Sequence, residues 1–534
     1  MKHLLLGATA LTLCAGLTSA AYADFTLNIL HINDFHSRFD PITDSDSNCD
    51  AETDAAGECF GGIGRLKTAI EAKRTELGGQ NVVLLDAGDQ FQGSLFYTTY
   101  RSEIIAEFTQ DLGIDVMAVG NHEFDDGPAE LAKLIDAVDF PIISGNTDVM
   151  NEPLLAGKLG GATVLDIGGE RIGVVAVLAE DTDETSSPGE GVLFDPAIGY
   201  LRAAVQGLEA AGVNKIIALT HVGYTVDQDL AASVPGIDVI VGGHSHTFLS
   251  STDENAAGPY PTLVNGPTGT EVPIVTAYSY AKYLGDLVVT WDDAGKVVSA
   301  EGAPILLDAS VKADPATVTR IAALQEPINA LMQEVIGTAT APIEGAREIC
   351  RAMECSMGNL VADAMLDSEA AGGATIAIQN GGGLRASIDA GEITMGEVLT
   401  VLPFSNTLAT VEITGADVVE ALENGVSDVE NGAGRFPQVA GLHYTYSKSA
   451  PVGSRVTEVM VGSGESWTPI DENTTYKIVT NNYNRGGGDG YTTFADGENP
   501  YDFGLPLEQV LADYVAAQGG EYTPNTDGRI TVID

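Results

Sequence analysis

The sequence is short of basic residues: 25 lysines and arginines stand against 76 aspartates and glutamates, a net charge of −51 over 534 residues. A surface this acidic repels other polyanions, which excludes nucleic acid polymers and anionic membranes as partners. An anionic substrate is compatible only where metal ions or a few placed arginines reverse the field locally. Long apolar runs are also scarce. The longest, Leu4 to Leu17, is shorter than the ~18 residues a membrane span needs, and no second one follows. With Lys2 before it and Ala21-Tyr22-Ala23 after it, this run is expected to be a cleaved export leader, residues 1–23. No lipid-anchor tail precedes the polar end Val532-Ile533-Asp534, so a periplasmic or secreted protein without a membrane anchor is expected. Internal repeats and low-complexity tracts are absent, and nothing implies a protein partner.

Cysteine is rare too. Beyond Cys14 of the leader there are Cys49, Cys59, Cys350 and Cys355, whose spacings do not suit paired zinc knuckles. Four cysteines allow three pairings, and export permits disulfides. The short-loop pairs Cys49 with Cys59 and Cys350 with Cys355 are expected, each bracing a local loop.

What is present, at 44% hydrophobic residues, is ample core for a globular chain. From Asp24 to about Leu307, β-branched apolar runs alternate with helix-like stretches. The runs are Phe25 to Ile32, Asn81 to Leu85, Val116 to Val119, Pro141 to Ser144, Ile172 to Leu178, Lys215 to Leu219 and Val239 to Val241. This pattern predicts an α/β domain with strands covered on both faces, ligands sitting beyond the strands' carboxyl ends. Asp314 to Gly337 reads as one amphipathic helix, with Val318, Ile321, Leu324, Ile328, Leu331 and Val335 on its apolar stripe. The organisation that follows is a first domain over 24–312, a linker helix over 313–337 and a second, α+β domain over 338–534.

Five strand-like runs of the first domain end in side chains with metal or phosphate chemistry: Asp34-Phe35-His36, Asp86-Ala87-Gly88-Asp89, Gly120-Asn121-His122-Glu123, Thr220-His221 and Gly243-His244-Ser245-His246. Five of the eight histidines lie in these segments, together with Asp34, Asp89 and Asn121. Carboxylate and imidazole donors without thiolate are the ligand chemistry of a two-metal site for Zn²⁺, Mn²⁺ or a similar divalent ion. Asp34 and His36, two apart, point one way if the strand's extension continues; His31 has the other parity and reads as a packed neighbour. Asp86 and Asp89 compete for a bridging role, Gly88 favouring Asp89. Glu123 reads as a solvated or packed residue, and His443 as structural.

This series resembles the calcineurin-like metallophosphoesterase signature, and nearly the whole chain is similar to the 5′-nucleotidase family, which includes exported bacterial UDP-sugar hydrolases and animal ecto-5′-nucleotidases. The resemblance implies a four-layer α/β/β/α domain joined by a helix to a nucleotide-binding α+β domain, closing around the substrate. It further implies that Asp34, His36, Asp89 and His246 surround one divalent ion and Asp89, Asn121, His221 and His244 the other. By the same resemblance His122 is not a ligand but stabilises the phosphoryl or leaving oxygen, oriented by Asp125.

In the second domain, Arg351 sits in Cys350-Arg351-Ala352-Met353-Glu354-Cys355, and Asn380 and Arg385 bracket a Gly-Gly-Gly turn. Guanidinium forks suit phosphate oxygens. The resemblance adds Phe404 and Tyr483 as rings that sandwich a base and Asp489 as a carboxylate for ribose hydroxyls; Ala352 and Met353 stand where many relatives carry a further basic residue. The expected activity is two-metal hydrolysis of nucleoside 5′-monophosphates, with UDP-sugars or related pyrophosphates as further substrates. The alternatives are a 2′,3′-cyclic nucleotide phosphodiesterase/3′-nucleotidase, a sulfur-oxidation hydrolase and a non-catalytic nucleoside binder.

Overall fold

The computed structural model describes residues 24–533 apart from 45, 47, 48, 50, 405, 465 and 503; the expected leader lies outside the described residues. In the first half, alternation along each strand dictates the layers. In β1 (Phe25–Ile32), Leu27 and Ile29 face a neighbouring sheet, whereas Leu30 and Ile32 face helices. The same parity holds in β2 (Val82–Asp86) and β3 (Val116–Ala118), where Val83, Leu85, Val116 and Ala118 turn inward and Leu84 and Met117 outward. The second sheet mirrors this through β4 (Ile216–His221) and β5 (Val239–Gly242): Ile217, Leu219, Val239 and Val241 meet the first sheet, and Ile216, Ala218 and Ile240 pack under helices. Two apolar faces per sheet require a cover on each side, and the result is the four-layer α/β/β/α arrangement.

In the first sheet β1, β2, β3 and Ile142–Ile143 run parallel, and Tyr283–Trp291 pairs antiparallel with β1. In the second, Glu170–Leu178, β4, β5 and Glu271–Val275 are parallel, flanked by antiparallel edges. The carboxyl ends of β1 to β5 meet at one rim.

The connector differs from its expected form. Its helix, α1 (Pro315–Met332), is capped by Asp314, whose side chain accepts from Thr317 N at 2.8 Å, and it stops five residues before Gly337. Gly337 lies instead in the strand Val335–Ala339, paired with Gly391–Thr394. Ile321, Leu324 and Ile328 join the first domain's helix-layer core, while Val318 and Val335 are half exposed and leave the predicted stripe. The second domain centres on a five-stranded sheet in which Ile376–Asn380 and Thr475–Asn481 are parallel neighbours, so their following loops emerge side by side. Cys49 pairs with Cys59 and Cys350 with Cys355, at Cα separations of 6.2 and 5.2 Å.

Candidate active site

The strand ends do not deliver their side chains by continued extension. β1 stops at Ile32, and Asp34 and His36 both take left-handed backbone angles (φ 50° and 49°), as do Asp89, His244 and His246. Non-glycine residues in this region cost roughly 1–3 kcal/mol each and persist where the surroundings over-determine them, as at functional sites. Part of that determination comes from Glu123. Fully buried, it accepts four backbone N–H groups, from Gly120 (2.6 Å), Asp89 (3.0 Å), Gln90 (2.8 Å) and Phe91 (3.1 Å), and so ties the Asp89 turn to the β3 turn. The solvated alternative for Glu123 is thereby corrected: it is a packed clamp. Gly120 is required here, because a Cβ would fall 2.2 Å from Asp89 Oδ1.

Two groups of ligand atoms, each within 4.8 Å of one another, result: Asp34, His36 and His246, and Asp89, His221 and His244. Asp89 Oδ2 faces both, 2.9 Å from His221 Nε2 and 3.8 Å from His36 Nε2. Asp34 Oδ1 likewise lies 3.5 Å from His246 Nε2 and 3.9 Å from His221 Nε2. Asn121 Oδ1 joins the second group, 2.9 Å from His244 Nδ1. His221 Nδ1 stands 2.6 Å from the Ala87 carbonyl and His36 Nδ1 3.2 Å from that of Phe91, which turns Nε2 on each ring towards the cluster. Among the described residues Asn121 Nδ2 is buried without a hydrogen-bond partner, and His221 Nε2 has only its close approach to Asp89 Oδ2. Nitrogen and oxygen donors converging in this way on shared space fit divalent cations. Asp86 stays outside both groups, accepting from Gly88 N and Gln90 Nε2; His31 is buried against the Tyr260 hydroxyl, and His443 stacks on Trp467.

His122 also lies within ligand reach of His36 and Asp89. Its Nδ1, however, is held 2.6 Å from Asp125 Oδ2, and Asp125 Oδ1 accepts from Ser186 Oγ at 2.7 Å. Burial alone lowers the imidazole pKa, but the carboxylates of Asp125 and Asp89 outweigh it and raise His122 to about 9. Asp125 does not cap the helix that follows: Pro128–Ala137 starts from Gly127. Burial pushes Asp34 up to about 7, whereas the surrounding imidazoles, His221 foremost, overcome burial at Asp89 and hold it well below the usual range.

The second domain faces this centre across a cavity of about 1090 Å³. Its lining includes His36, Asp89, Asn121, His122, His244 and His246 on one side and Arg351, Asn380, Arg385, Phe404, Tyr483 and Asp489 on the other. Asn380 Nδ2 donates to Asp489 Oδ2 at 2.8 Å, and the Tyr483 hydroxyl lies 3.2 Å from Asp489 Oδ1. The Arg385 guanidinium sits over the Phe404 ring, 5.4 Å from its centroid. Arg351 is buried, and desolvation followed by repulsion from Arg347 and Arg385 depresses its pKa, so these three cations concentrate positive charge in an acidic protein.

One cavity thus joins clusters of candidate metal donors to an arginine-lined, aromatic wall. Residues 27–248 match the calcineurin-like phosphoesterase family model, and residues 335–496 match that of the 5′-nucleotidase C-terminal domain. A 5′-nucleotidase of Diplobatis ommata is 37% identical over 98% of this chain and 93% of its own length. This chain belongs to the 5′-nucleotidase family. Among solved structures, the 5′-nucleotidase precursor of Thermus thermophilus is similar at 39% identity and a TM-score of 0.63, covering 96% of this chain and 100% of that one. The NAD nucleotidase of Haemophilus influenzae is similar at 25% identity and a TM-score of 0.74, covering 96% and 99%. As a member of this family the chain is a metal-dependent phosphoester hydrolase.

Sequence reasoning missed Glu123 as a clamp, Ser186 behind Asp125, Arg347 beside Arg351, and the Arg485–Asp502 ion pair on the cavity wall. Glu123 alone carried a usable signal, since a glutamate three residues after a turn reaches back to backbone N–H groups.

Proposed function

We propose that this protein hydrolyses nucleoside 5′-monophosphates in the cavity between its domains, water displacing the nucleoside so that the phosphorus–O5′ bond breaks and phosphate is released. The observation that carries this is the joint lining of one cavity by Asp89 and His122 from one domain and Arg351, Arg385, Phe404 and Tyr483 from the other. Asp34, His36 and His246 would hold one divalent ion and Asn121, His221 and His244 the other, with Asp89 shared. Bound there, Zn²⁺ or Mn²⁺ supplies water activation and counter-charge for phosphoryl oxygens. His122, its Nδ1 fixed by Asp125, keeps a proton on Nε2 for the phosphoryl or leaving oxygen. Arg351 and Arg385 bind phosphate oxygens, Asn380 and Asp489 orient the ribose side, and Phe404 and Tyr483 stack on the base, where each ring contributes about 1–3 kcal/mol.

The cavity of about 1090 Å³ leaves room for longer substrates such as UDP-sugars and related pyrophosphates as well. No observation favours the cyclic-phosphodiesterase, sulfur-oxidation or binder alternatives. The two disulfides suit an oxidising, extracytoplasmic setting, and among the described residues no helix is long and apolar enough to cross a membrane. Phosphate release from AMP by the metal-loaded protein tests the assignment.

A further inference from the structure

Arg38 follows directly on the turn that carries Asp34 and His36, yet its guanidinium reaches the other domain. It is 4% exposed and lies 4.9 Å from the centroid of Tyr280, whose ring packs 5.7 Å from His36 and 5.3 Å from His246. Its Nη2 donates across the domain boundary to the main-chain carbonyl of Phe404 at 3.4 Å. The same loop is tied on its far side to the start of α2 (Leu507–Ala517): Leu507 N donates to Asn406 O at 2.9 Å, and Thr407 bridges to Pro506. Glu508, in the first turn of α2, is 4% exposed, and among the described residues its Oε2 has no hydrogen-bond partner. Burial raises its pKa to about 7, opposed first by a hydrogen bond to its own backbone and then by the charge of Arg38. One guanidinium therefore joins the metal-bearing turn, through Tyr280, to the Phe404 carbonyl, while Glu508 lies buried where the same loop meets α2.

We propose that Arg38 is a positioning residue that seats the Phe404 ring, with Glu508 as its counter-charge, so that the base clamp is set in register with the metal centre. This rests on the reading that Phe404 stacks on the base. A guanidinium already packed against Tyr280 loses little freedom in making these contacts, and a hydrogen bond from a charged donor is worth more than a neutral one. Removing it frees the loop and removes no ligand side chain.

The test compares kcat/KM for AMP with that for ribose 5-phosphate, which lacks a base, in the metal-loaded full chain and its variants. Phe404→Ala sets the scale of the clamp. Arg38→Ala is expected to lower the AMP to ribose 5-phosphate ratio about tenfold, mostly through KM for AMP. Glu508→Gln, which keeps shape and removes charge, is expected to move the ratio in the same direction by less. If Phe404→Ala leaves the ratio unchanged, the base-clamp reading fails and the inference falls with it. If Phe404→Ala lowers it while Arg38→Ala and Glu508→Gln do not, the clamp stands and the role of Arg38 is overturned. Arg38→Lys and Glu508→Gln decide the matter should Arg38→Ala not fold.

Discussion

Asp125 holds His122 on one carboxylate oxygen at 2.6 Å while its other oxygen accepts from Ser186 at 2.7 Å. The imidazole is thus oriented by a carboxylate that is itself fixed. His122→Ala is expected to lower kcat for AMP by about 10²- to 10⁴-fold, the usual contribution of a placed proton donor, with a much smaller change in KM. Steady-state kinetics check this. A comparable loss carried wholly by KM would assign His122 to substrate binding.

The donor groups around Asp89 make metal removal a direct probe. Dialysis against a chelator is expected to abolish phosphate release, and adding Zn²⁺ or Mn²⁺ back to restore it. Because Asp89 Oδ2 faces both groups, Asp89→Asn is expected to weaken retention of both ions. Elemental analysis of the purified variant reads this out, and loss of one ion only would mean that Asp89 serves a single group.

The two oxygens of Glu123 serve four backbone donors. Glu123→Gln replaces one acceptor oxygen with an NH₂ group facing N–H groups. Metal affinity is expected to fall about 10- to 100-fold, as for other supports of metal ligands. Metal titration followed by calorimetry measures it. Unchanged affinity would show that the left-handed turns at Asp34 and Asp89 hold without the clamp.

Asp238 offers a pH prediction remote from the metals. Burial raises its carboxyl to about 7, although it accepts from Ile216 N at 2.7 Å. The folded value lies above the unfolded one, so the folded protein keeps this proton longer. The stability it contributes is full below about pH 4 and is lost as pH rises to about 7. The loss is at most ~4 kcal/mol from the pKa difference and smaller because the residue is partly exposed. Asp238→Asn keeps an acceptor for Ile216, so its melting temperature is expected to exceed the wild type's at pH 8 and to match it near pH 4. A constant offset across that range would contradict the assignment.

Much of the first domain was legible because its strands are two-faced. The apolar runs Phe25–Ile32 and Val239–Gly242, closing just ahead of Asp34 and His244, need no tertiary knowledge. The geometry past the strand ends was not legible. Nothing in Asp34-Phe35-His36 announces two left-handed residues, since that conformation is imposed by the Asp89 turn, whose own sequence carries no pattern that would reveal it. The connector was overextended because Val335 continues a helical period in sequence while its backbone pairs with Thr394. Arg38 and Ser186 stayed hidden for a third reason. Their partners, Phe404 and Asp125, lie hundreds or tens of residues away, and a lone arginine or serine carries no periodic signal.

The most direct test of the account is phosphate release from AMP and from ribose 5-phosphate by the Mn²⁺- or Zn²⁺-loaded protein, with His122→Ala and Phe404→Ala alongside. The account requires preferential release from AMP, lost in His122→Ala and reduced towards the ribose 5-phosphate level in Phe404→Ala. Equal release from both substrates in the wild type, or full activity in His122→Ala, would contradict it.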